Sequence, residues 1–131
     1  MGSDKTEDEK IQEYYNLSLI YLKSAEISLE RGLYEPAMFN AIHALELALK
    51  SALLKRQPSS WKTHNVGGIF SKLFKSEVSD KDRRRINVIL SKYNLPRYPS
   101  DYLPDATEIE RDIAFIKRII RDIIPKLIKS D

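Results

Sequence analysis

Residues 36–56 read PAMFNAIHALELALKSALLKR, and no other stretch constrains the fold as strongly. At 100° per residue, Ala37, Ala41, Ala44, Ala48 and Ala52 fall in one sector of a helical wheel, about 100° to 180° from His43. A strip of methyl groups lets a neighbouring helix approach closely, so the stretch predicts a buried rod with other helices laid against it. The opposite sector is mixed. His43, Lys50, Glu46 and Phe39 occupy it together with Leu47 and Leu54. A face of this composition suits a cleft or a subunit interface. The plainer alternative is an i,i+4 Glu46–Lys50 pair worth a few tenths of a kcal/mol, with His43 filling space beside it.

Four more helices follow from apolar spacing and end signals. The first spans about residues 7–31, with Tyr14, Leu17, Ala25 and Leu29 at helical intervals, and Gly32 supplies a stop. Pro36 suits the opening turn of the second. A short third helix is predicted over 63–75. Ser79 or Asp80 caps a fourth that carries Ile86, Ile89 and Leu90 and ends near residue 94. LPRYPSDYLPD, with three prolines, forms an extended loop. Asp105 or Thr107 opens the last helix, and Pro125 kinks or frays its end. No run alternates with period two, so the expectation is an all-α, up-and-down antiparallel bundle of about five helices. It forms one domain over residues 7–129 behind a disordered end at 1–6.

Without cysteine there is neither a disulfide nor a thiol nucleophile, and a cytoplasmic location is expected. No apolar run is read as a bilayer span, no membrane partner is expected, and the acidic N-terminus does not resemble a signal peptide. The net charge of +3 is unevenly spread. Residues 1–49 carry 4 basic and 9 acidic side chains, residues 50–85 carry 10 and 3, and residues 86–131 carry 8 and 7. Lys72, Lys75, Arg83, Arg84 and Arg85 dominate the basic middle. They are either a solvated face or a surface for RNA, a nucleotide or an acidic partner. Three consecutive arginines fan over about 200° of a helix and cannot share one face.

His64, with Trp61 and Lys62, sits at a predicted helix start, where phosphate contact with base stacking competes with a capping role. Two histidines without a spaced set of carboxylates do not make a metal site, and no cofactor is implied. VGGIF lacks the lysine and spacing of a phosphate-binding loop.

Taken in order, Gly32 and Tyr34, then Ala37, Phe39, Ala41, His43, Ala44, Glu46, Ala48 and Lys50, then His64 and Leu73, then Arg97 and Tyr98, resemble the HEPN domain family. The resemblance covers about residues 14 to 128. It implies a helical bundle that is commonly a homodimer and is often paired with a small nucleotidyltransferase in toxin–antitoxin modules. A nucleotide or RNA is the implied ligand. Many such domains are metal-independent ribonucleases with an arginine four to six residues ahead of a histidine. Here Arg31 and His43 have eleven residues between them, Arg56 and His64 have seven, and Arg97-Tyr98-Pro99 is followed by no histidine. No general base therefore sits beside an arginine in sequence. The expectation leans to a non-enzymatic domain in which Arg97 pairs with Glu46 while His43, Lys50 and Tyr98 line the same cleft. A ribonuclease with an atypical site and a pure protein-interaction module are the alternatives.

Overall fold

The computed structural model describes residues 5–59, 65–93 and 105–129. It is an all-α bundle with no strand among the described residues: α1 (Glu7–Glu30), α2 (Tyr34–Arg56), α3 (Val66–Leu73), α4 (Asp80–Tyr93), α5 (Ala106–Arg118), a π-helical turn (Ile119–Ile123) and α6 (Ile124–Leu127).

Side chains placed by the sequence hold the helix ends. Thr6 opens α1 with a reciprocal capping box to Glu9. Asn65, Ser79 and Asp105 each accept the backbone N–H three residues on. Gly32, at φ 71°, closes α1: Leu33 N–H returns to Ser28 O at 2.9 Å and Gly32 N–H to Leu29 O at 3.0 Å. The second helix starts at Tyr34, two residues before the expected proline. Pro36 sits where the N–H has no helical acceptor in any case.

α2 is the axis of the bundle. Its five alanines are fully buried, and Leu45, Leu49 and Leu53 extend the buried arc. Leu22 and Ala25 of α1, Phe70 and Phe74 of the α3 region, Ile86 and Ile89 of α4, and Ile113 and Ile116 of α5 complete the core. By length and composition alone α2 is long and apolar enough to cross a bilayer, a test that the buried core helix of a bundle also passes. Most of it is enclosed by the other helices. The VGGIF glycines serve packing. A Cβ on Gly67 would sit 2.5 Å from Asn87 Oδ1, and the Asn87 amide donates to Ser71 Oγ at 2.7 Å and to Arg83 O at 2.9 Å.

Pro125 widens the last helix rather than ending it. Ile124 N–H donates to Ile119 O, a step of five residues. The next donor in that register would be residue 125, which has no N–H. The carbonyl left over, Ile120 O, accepts from Tyr15 Oη of α1 at 2.8 Å. Burial holds the Tyr15 phenol above its ordinary range, so it remains a donor.

Long polar side chains bridge α4 to α5 around Asp112, whose own side chain is only 6% exposed. Asp112 accepts from Lys92 Nζ at 2.8 Å, from Tyr93 Oη at 2.8 Å and from Arg85 at 3.4 Å. Lys92 also reaches Glu108 at 2.5 Å. Burial alone would lower the Lys92 ammonium. Its bonds to Asp112 and Glu108 outweigh that and leave it above its ordinary value. Asp112→Ala removes the partner of two cations, and urea unfolding should show a loss of about 3 kcal/mol. Asp112→Asn, which keeps an acceptor for Tyr93, should lose less.

Candidate functional site

The α1–α2 hairpin sets the geometry of the mixed face. Ser24 meets Asn40, whose Nδ2 donates to Ser24 Oγ at 3.3 Å, and Tyr21 meets His43 edge-to-face with ring centroids 4.4 Å apart. Both pairs obey one antiparallel register, which places Leu17 beside Leu47 and Tyr14 beside Lys50. At the far end, Lys10, Tyr14, Leu54 and Pro58 border a depression of about 420 Å³.

His43 Nδ1 lies 4.0 Å from Glu46 Oε1, and both side chains are about half exposed. Partial burial pushes the Glu46 carboxyl above its ordinary range, against the pull of His43 and of Lys50. Burial lowers the Lys50 ammonium, and Glu46 opposes the shift. The trio is thus a solvent-edge cluster in which the surroundings of Glu46 and Lys50 disfavour charge more than their neighbours restore it. Phe39, 67% exposed, and Ile20, 62% exposed, flank it.

Arg97 and Tyr98, proposed from the sequence to complete this cleft, lie outside the described residues, as do Trp61, Lys62 and His64. Among the described residues, no arginine is paired with His43, and no group of three or more His, Asp or Glu side chains is placed to hold a metal.

Sequence position alone does not separate the basic residues, but the structure does. Arg83 is largely buried, with Nε donating to Val78 O at 3.0 Å and its head paired with Asp80. Arg85 lies over the Phe115 ring at 4.6 Å and reaches Asp112. Lys72, Lys75 and Arg84 remain exposed. The fan of arginines therefore divides into two that build the fold and one that faces solvent. Arg56 too is structural: it donates to Leu73 O at 2.6 Å, pairs with Glu77 and covers Phe74.

Sequence reasoning missed the Asp112 cluster and the Arg118–Asp82 pair, at 2.6 and 3.2 Å. The signal was a complementary spacing: Arg85 and Lys92 lie two turns apart on α4, and Glu108 and Asp112 lie one turn apart on α5.

The family model of the HEPN domain matches residues 11–127. The chain belongs to the HEPN family. That span begins about one turn into α1 and takes in every later helix, including the widened turn and the short helix after it. No curated protein and no solved structure matches the chain. Membership associates this HEPN domain with nucleotide- or RNA-related work.

Glu46 supplies a pH test of the face. Its raised folded-state pKa means that the stability tied to its neutral form is complete below the ordinary carboxylate value of about 4.3 and is lost as pH rises through the raised value. Glu46→Gln is therefore expected to raise the thermal midpoint slightly near pH 7 and to match the wild type near pH 4. A lower midpoint at pH 7 would show that attraction to His43 and Lys50 outweighs burial.

Proposed function

We propose that this HEPN domain is a non-catalytic module that binds a nucleotide or single-stranded RNA through its exposed cations. The observation that carries this reading is the state of its histidine within a family linked to nucleotides. His43 is engaged by Tyr21 and Glu46, with no arginine paired to it among the described residues, so an acid–base pair for attack by a ribose hydroxyl is not assembled there. Arg84, Lys72 and Lys75, exposed along α3, α4 and the turn between them, supply phosphate-attracting charge. The same surface suits a second reading, pairing with a minimal nucleotidyltransferase as in toxin–antitoxin modules. There the cations would meet the partner's acidic groups or its nucleotide.

Binding of a labelled single-stranded RNA should weaken steeply from low to high salt. Arg84→Ala should reduce affinity a few-fold and lower the salt slope by about one. Arg83→Ala should instead lower the melting temperature, because Arg83 ties Val78 and Asp80 together. The same RNA should stay intact. Cleavage lost in His43→Ala would replace this reading with a ribonuclease of atypical site. Affinity that hardly changes with salt would rule out phosphate recognition.

A further inference from the structure

We infer that the seam between α4 and α5 is a salt-released latch. Its Asp82 end opens as ionic strength rises, its Asp112 end stays shut, and the opening uncovers Ile89 and Phe115. None of the cations assigned to RNA above takes part.

Helical spacing puts the parts of the latch on two facing strips. At about 100° per residue, Asp82, Arg85, Ile89, Lys92 and Tyr93 fall within about 100° of one another on α4. Arg84 falls outside that sector. On α5, Glu108, Arg111, Asp112, Phe115 and Arg118 share a sector of about 120°. The strips pair antiparallel: Asp82 with Arg118, Arg85 with Phe115 and Asp112, and Lys92 with Asp112 and Glu108.

The two ends of the seam differ in their access to solvent. At the inner end the Asp112 side chain is 6% exposed, and Lys92 and Tyr93 each bond it at 2.8 Å. Charges enclosed in this way are little screened by salt. At the outer end the Arg85 and Arg118 side chains are 41% and 45% exposed, so mobile ions reach both guanidiniums. Arg85 is also the looser partner of Asp112, at 3.4 Å, and its departure leaves that carboxylate with two short bonds.

These two guanidiniums are the ones that lie against Phe115, at 4.6 and 5.4 Å from the ring centroid. Phe115 is 6% exposed and Ile89, in the same seam, 1%. On its other side α4 is fixed to α3 by contacts that salt does not weaken. The Asn87 amide donates to Ser71 Oγ at 2.7 Å, and a Cβ on Gly67 would meet the Asn87 side chain at 2.5 Å. Screening therefore tilts α4 on α3 and opens the α5 side alone, a local opening rather than unfolding of the bundle.

The chain has no cysteine, so one introduced thiol reports one position. Ile89→Cys should react with a maleimide about fivefold faster in roughly 1 M than in roughly 0.05 M sodium chloride. Leu45→Cys, fully buried in α2, should react slowly and equally in both. Asp82→Asn combined with Ile89→Cys should react fast at low salt and gain little from more. In the wild type, amide exchange at Ile86 and Ile89 should show the same salt dependence without any introduced thiol. Ile89→Cys labelling and wild-type exchange that both ignore salt overturn the latch. Equal acceleration of Leu45→Cys overturns it too, because the whole bundle would then be loosening. So does a full salt response that survives Asp82→Asn.

Discussion

Everything in this bundle depends on the closeness with which other helices approach α2. Ala37, Ala41, Ala44, Ala48 and Ala52 have no exposed surface, so the neighbouring backbones are held off only by methyl groups. Such an approach needs partners of matching shape. Leu22 and Ala25 provide it from α1, and the isoleucines of α5 and the π-helical turn provide it from the opposite flank. Because one sector of α2 is closed in this way, the remaining sector must look outward. That sector carries Phe39, His43, Glu46 and Lys50.

The second half of the molecule is joined differently. α4 meets α5 chiefly through long charged and phenolic side chains that converge on the buried Asp112 carboxylate and on the Asp82–Arg118 pair. Such links have directional geometry that apolar packing lacks, so they set how the two helices face each other. Tyr15 has a comparable part at the widened turn. It satisfies a carbonyl that Pro125 leaves without a donor, and so lets the chain pass the proline without ending the helix. The basic sequence between residues 81 and 85 is likewise divided by the fold. Arg83 and Arg85 bind backbone, carboxylate and aromatic groups, and Arg84 is left for solvent and partners.

Much of the fold was legible beforehand because its signals are local. Gly32, Ser79 and Asp105 mark helix ends through bonds made within a few residues, and the alanine strip marks burial through its spacing. The start of α2 was misplaced by two residues because proline is tolerated anywhere in the first turn. The membrane-length composition of α2 also escaped notice, since His43, Glu46 and Lys50 interrupt its apolar run without removing its apolar average. In the candidate site, the proximity of His43, Glu46 and Lys50 could be read from their i,i+3 and i,i+4 spacing. Their half-buried state and the ring of Tyr21 could not, because they depend on a helix 16 or more positions away in the chain.

What the sequence determined by itself was the set of helices, their ends and the small-residue strip that had to be buried, because each follows from bonds and periodicities confined to one segment. Membership of the HEPN family belongs with these, since it rests on the order of short motifs along the chain. Tertiary structure alone decided which charges became fold and which stayed surface. A guanidinium has the same chemistry in Arg83, Arg84 and Arg85, and only the neighbours brought in by other helices determine whether it finds a carboxylate, a ring or water.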